Sequence, residues 1–103
     1  MDLLRGTLDI LILTTLRRER MHGYAISRWI RETTEDVLNV EEGALYPALR
    51  RLEKKGLLRA EWGNTDTGRE AKFYELTAAG HRRLEAQRAD WDQYVEAMSR
   101  VLD

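Results

Sequence analysis

A chain of 103 residues with 17 Lys and Arg against 18 Asp and Glu has a formal net charge of −1, so its overall balance signals neither a nucleic-acid nor a membrane partner, and any such affinity has to be local. The length is one domain's worth, with a single modest core that buries roughly 60–65% of the unfolded surface. Without cysteine there is no disulfide framework, thiolate ligand or thiol nucleophile, which suits a reducing cytoplasm.

In chain order, Thr7 is a candidate N-cap for a helix whose body, residues 8–16, is apolar on nearly every side. That run contains Asp9, is far too short to span a bilayer and lacks the flanks of a signal peptide, so the protein is expected to be soluble and cytoplasmic, with no membrane partner. All-round burial is hard to supply within so small a chain. Part of Leu3, Leu4, Leu8 and Leu11 is therefore assigned to a second subunit. Arg17, Arg18 and Arg20 mark the solvated end, where cations suit the helix dipole. The next helix starts near His22 and Gly23 and carries Ile26, Trp29, Ile30 and Thr33 on one face. Residues 32–40 form a connector without glycine or proline, in which Val37, Leu38 and Val40 can add a very short strand.

The most informative stretch is residues 41–56. Leu45, Ala48, Leu49 and Leu52 recur at helical spacing and form one apolar stripe, while Arg50, Arg51, Lys54 and Lys55 fall largely outside it. Pro47 belongs in a first turn, which starts this helix near Gly43 or Ala44 with Glu41 and Glu42 beside its partially positive end, and Gly56 stops it. Residues 50–59 hold five cations (Arg50, Arg51, Lys54, Lys55, Arg59) against Glu53, a local charge of +4. A short helix with an anchored edge and a cationic edge is what a DNA major groove accepts.

Leu58, Ala60 and Trp62 then alternate onto one face of a strand, residues 63–68 are all turn chemistry, and residues 71–76 resume strand-forming types. Arg69 and Lys72 fall at or just past the tip, making this hairpin a basic finger. From Thr77, a plausible N-cap, one helix runs nearly to the end despite Gly80. Leu84, Trp91 and Met98 are spaced by seven, Arg88, Val95 and Leu102 form a second such row, and Tyr94 and Val101 lie close by. An apolar seam that extends beyond the globular part needs a partner, and a second copy of the chain is the simplest one.

The order helix, helix, basic helix, hairpin, long helix describes a mainly α fold with a small β-hairpin: a winged helix-turn-helix over residues 1–76 with a C-terminal dimerisation helix over 77–103, the two forming one structural unit. In two copies the basic helices would enter successive major grooves, with Tyr46, Arg50, Arg51, Lys54 and Lys55 on phosphates or base edges and Arg69 and Lys72 serving the wing. The dimer interface would draw on Leu4, Leu8, Leu11, Leu84, Trp91, Tyr94, Val95, Met98 and Leu102. Bland readings stand beside these. Tyr46 can simply pack on the second helix, the cations can be a solvated face, and Glu41 and Glu42 suit a helix dipole better than chemistry. His22 and His81 lie far apart without cysteine, which argues against a metal site. No phosphate loop, nucleophile elbow or paired-carboxylate signature is present, so neither an enzyme nor a cofactor is expected.

The segments Leu4-Arg5-Gly6-Thr7-Leu8-Asp9-Ile10-Leu11-Ile12-Leu13, Met21-His22-Gly23-Tyr24, Glu42-Gly43-Ala44-Leu45-Tyr46-Pro47-Ala48-Leu49, Leu52-Glu53, Gly56-Leu57 and Tyr74-Glu75-Leu76-Thr77-Ala78-Ala79-Gly80 follow one another in a fixed order. Together they resemble the PadR family of bacterial transcriptional regulators. The resemblance covers about residues 3–84 and implies a homodimeric repressor of double-stranded operator DNA, in the compact branch with one short C-terminal helix that packs on the partner's first helix. Some members hold a small aromatic effector between subunits, and for such a ligand the resemblance makes Trp91 the candidate residue. Ala44 stands where many members carry serine, so a hydroxyl contact is absent from the start of the basic helix. The alternative from another class is a winged-helix protein-interaction module whose basic helix meets an acidic partner.

Overall fold

The computed structural model describes residues 6–103, so the interface candidate Leu4 lies outside the described residues. Four helices and a three-stranded antiparallel sheet follow in the order α1 (Thr7–Arg18), β1 (Met21–His22), α2 (Gly23–Thr33), α3 (Glu42–Lys54), β2 (Leu58–Asn64), β3 (Glu70–Leu76) and α4 (Ala78–Leu102). The result is the winged helix-turn-helix that the element order implies, with β2 and β3 as the wing.

In α1 the residues Ile12, Leu13, Thr15 and Leu16 are buried, whereas Leu8, Ile10 and Leu11 are only partly so; the helix is covered on one side rather than all round. Thr15 satisfies its buried hydroxyl by donating to the Leu11 carbonyl at 2.7 Å. The N-cap is Gly6, in the left-handed region at φ 84°, which makes Thr7 the first helical residue and not the cap. α2 begins where His22 caps it, the imidazole Nδ1 accepting from the Ala25 N–H at 3.3 Å. Ile26 and Ile30 turn into the core and Thr33 stays exposed.

Two expectations about strands need correcting. The connector after α2 forms no strand; its hydrogen bonds are local, with Thr34 accepting from the Leu38 N–H at 3.0 Å and Glu35 and Asp36 both left-handed. Val40 alone drops into the core while Val37 is exposed. The extra strand is instead β1, only two residues long and thus too short for alternation to reveal, which adds to the outer edge of the wing in the order β1-β3-β2 with Met21 opposite Tyr74 and His22 opposite Phe73.

α3 starts at Glu42, a residue or two earlier than its proline suggests, so Pro47 lies in the second turn and the Gly43 carbonyl at the exposed start loses its usual partner. The apolar stripe is fully used: Leu45, Ala48, Leu49 and Leu52 are all buried. The helix closes with a Schellman arrangement, in which Gly56 at φ 77° lets the Leu57 N–H reach the Leu52 carbonyl (3.0 Å) and its own N–H reach Glu53 (2.9 Å). Thr77 ties the start of α4 to the same corner. Its hydroxyl donates to the Gly56 carbonyl at 2.6 Å and accepts from the Gly80 N–H at 3.0 Å, while its own N–H donates to Leu57 at 3.1 Å.

Only Gly80 and Leu84 of α4 are buried, and every residue from 88 onward is exposed. Leu84, assigned from its seven-residue spacing to a subunit interface, is 1% exposed within its own chain's core and has no surface to give to a partner. The heptad row therefore changes function along its length: core at Leu84, open seam from Trp91.

Candidate nucleic-acid interface

The basic edge of α3 is exposed along Arg50, Arg51, Lys54 and Lys55, directly opposite the buried stripe. Its cations are not equivalent. The Arg51 guanidinium holds both carboxylate oxygens of Asp9 in α1, at 2.8 and 2.9 Å, and this hydrogen bonding raises its pKa further above the ordinary range. The single acid in the apolar first helix thus has a structural task. Arg59 is likewise paired across the wing with Glu75 at 2.9 Å. Arg50, Lys54 and Lys55 form no ion pair among the described residues, which leaves them as the uncommitted charge of the stretch.

The wing divides its two candidates. Arg69 is exposed at the tip, where Gly68 is left-handed at φ 82° and Thr65 closes the turn through an N–H donated to the Arg69 carbonyl (2.8 Å) and a hydroxyl that accepts from the Arg69 N–H (3.2 Å). Lys72, in contrast, is two strand positions back from the last pair, opposite Trp62, and its ammonium meets Glu53 of α3 at 3.2 Å. It braces the wing against the helix instead of arming the tip. Burial pushes the Tyr74 phenol up beside this pair, with Lys72 drawing it back down.

Tyr46 packs on α2: a Cβ on Gly23 would lie 2.7–2.9 Å from its ring and hydroxyl, so glycine at position 23 is what admits the tyrosine. The ring remains half-exposed at the rim of the cationic edge, which gives it a structural contact and an open side together. His22, on the far face of the sheet, stands edge-on to Phe73 with ring centroids 5.2 Å apart; burial and then Arg28 lower its pKa, while Asp66 opposes them.

A second surface lies at the other end of the molecule. Trp91, Tyr94, Val95, Met98, Val101 and Leu102 are all exposed on α4, and Trp91 and Tyr94 sit 6.0 Å apart by ring centroid. With Gly6, Thr7, Ile10, Gln87 and Asp90 they line an open groove of about 370 Å³ between α4 and the start of α1. Gln87 Oε1 is buried and has no hydrogen-bond partner among the described residues. Among the described residues, no helix is long and apolar enough to cross a membrane.

Residues 12–86 match the model of the transcriptional regulator PadR-like family. The fold is similar to that of a transcriptional regulator from Clostridium thermocellum (TM-score 0.87, 29% identity, 97% of each chain covered). It is also similar to a PadR family transcription regulator from Clostridium difficile R20291 (TM-score 0.82, 32% identity, 95% of this chain and 100% of that one). The negative transcriptional regulator PadR of Bacillus subtilis strain 168 is 29% identical over 80 residues, which are 78% of this chain and 42% of that longer protein.

Proposed function

The chain belongs to the PadR-like family of transcriptional regulators, and from that membership we propose that it acts as a homodimeric repressor on a pseudo-palindromic operator. It is a DNA-binding transcriptional regulator and not an enzyme. The observation that carries the finer reading is the division of α3 into a buried stripe and an outer edge on which Arg50, Lys54 and Lys55 form no ion pair among the described residues. Two copies related by a two-fold axis would set these edges into major grooves one turn apart, about 34–36 Å, with each wing reaching the adjoining backbone through Arg69. Arg50 is the side chain assigned to a base edge, and Lys54, Lys55, Arg69 and Tyr46 are assigned to phosphates. Arg51 and Lys72 keep the places proposed for them at the interface, but as residues that hold α3 and the wing while lending charge to the surface.

Dimerisation is supported by the open seam of α4, because six large apolar side chains exposed within residues 91–102 are a surface for a second chain. Repression is supported by the B. subtilis relative, whose name describes a negative regulator. A gel shift on the region upstream of the protein's own gene tests the reading. Tighter binding there than to random duplex at moderate salt, with affinity falling steeply as salt rises, is expected. Equal binding to both would sink the operator and favour a winged-helix module for an acidic protein partner.

The groove under Trp91 and Tyr94 favours a second element of function, an effector with a flat aromatic body that slides between the rings of the two subunits. A planar aromatic dye should quench tryptophan emission in the wild type and lower operator affinity. Trp91→Ala should abolish both effects, and persistence of either places the effector elsewhere.

A further inference from the structure

The wing carries one large aromatic that the described residues leave mostly uncovered. Trp62 is 64% exposed although it lies in the regular part of β2. Strand alternation puts it on the same face of the sheet as Leu58 and Ala60, together with their cross-strand partners Leu76 and Tyr74. That is the face turned to α3, since Leu58, Tyr74 and Leu76 are in the core and Lys72, directly opposite Trp62, reaches Glu53. Trp62 therefore lies beyond the part of this face that α3 covers, opposite Lys72 and two pairs back from the last pair, Asn64 and Glu70, next to the turn that carries Arg69.

An indole held in water at this site does nothing for the core, and residues of its size are normally buried against something. Its surroundings decide what that something is. Lys72 stands directly opposite Trp62, and Arg69 at the tip and Arg50 and Lys54 on α3 form no ion pair among the described residues; these cations call for a polyanion, while the indole calls for apolar surface alongside the charge. Duplex DNA offers both at the spacing of a few ångströms, as phosphates flanking deoxyribose faces and minor-groove edges. We propose that Trp62 is a direct apolar contact to the duplex, packing on sugar and groove-edge atoms beside the wing while Arg69 and the α3 cations hold the phosphates. The assignment rests on the DNA-binding reading above and adds to it a contact of different chemistry.

That difference supplies the test. A cation that meets a phosphate releases counterions and contributes to the slope of affinity against salt, whereas an indole releases none. Binding of wild type, Trp62→Ala, Trp62→Phe and Arg69→Ala to the upstream duplex is measured from low to moderate salt, together with thermal melting. Trp62→Ala is expected to weaken binding on the order of tenfold per dimer at every salt concentration with the slope unchanged. Trp62→Phe is expected to recover most of the loss. Arg69→Ala is expected to flatten the slope by about 0.9 for each phosphate contact removed. Melting of Trp62→Ala should stay within a few degrees of wild type, because an exposed side chain supports little of the fold. Wild-type affinity in Trp62→Ala overturns the proposal and leaves the DNA reading standing, as would a weakened variant with a flattened slope, which assigns the loss to displaced cations. Failure of the wild type itself to bind duplex overturns the DNA reading and Trp62 with it.

Discussion

Gly80 shows how much a single side chain, or its absence, decides here. A Cβ at this position would fall inside the contact distance of the Leu57 carbonyl oxygen, which is backbone held by Thr77 and cannot swing away. Gly80→Ala is expected to destabilise by about 3 kcal/mol or more in urea unfolding. Gly43→Ala, open on all sides in an exposed helical turn, should stabilise by roughly 0.5 kcal/mol through helix propensity. Similar midpoints for the two variants would show that α4 can shift away from Leu57. In the sequence Gly80 reads only as a weak helical residue, because the close approach that requires it joins positions far apart in the chain. His22 was legible as a helix start but not as a titrating cap. Burial and Arg28 lower its folded pKa below the unfolded value of about 6.5, so as pH falls the unfolded chain takes the proton first. Its contribution is thus complete above about pH 7, declines through the unfolded value and levels off once the folded imidazole also protonates. His22→Asn keeps a capping acceptor without that titration. The difference in urea midpoint between wild type and this variant should shrink or reverse between pH 7.5 and 5.5, and a pH-independent difference would remove His22 from the acid response.

At the scale of elements, α3 is gripped from two sides. Arg51–Asp9 ties it to α1 and Lys72–Glu53 ties it to the wing, so its placement depends on ion pairs as well as on the buried stripe. The stripe was readable because Leu45, Ala48, Leu49 and Leu52 keep the helical period. The pairs were not, since Asp9 and Arg51 stand 42 residues apart and nothing local links them. The count of +4 over residues 50–59 therefore overstated the uncommitted charge, because Arg51 and Arg59 are paired with acids outside that window. Asp9→Asn is expected to lower stability by about 1 kcal/mol, since the pair is bidentate yet partly exposed. It should also release Arg51 toward phosphates, raising affinity for random duplex and steepening its salt slope. A double-mutant cycle with Arg51→Gln measures the coupling in stability, and a coupling near zero would mean the pair contributes nothing to holding α3.

For the whole molecule the telling quantity is shape. A compact chain of this length has a radius of gyration of about 13 Å. The observed 14.5 Å and the 50 Å long axis reflect α4, whose 25 residues span about 37 Å and are all exposed from residue 88 onward. The seven-residue rows in the sequence revealed the seam, but not where the core ends along them, because Leu84 and Trp91 have the same period and differ only in what α1 and the wing bring to each. Trp91 is the largest side chain of the open part and is packed on Tyr94, the arrangement of an interface anchor. In a two-fold dimer each substitution counts twice, so at about 2 kcal/mol per anchor Trp91→Ala should raise the dimer dissociation constant roughly a thousandfold. Sedimentation at low micromolar concentration should then show monomer for the variant and dimer for the wild type. Operator binding by the variant should become sigmoidal in protein concentration, because one wing and one α3 hold only half a site and the second must be recruited with each binding event. A variant that stays dimeric and binds as the wild type does would move the interface off this helix face.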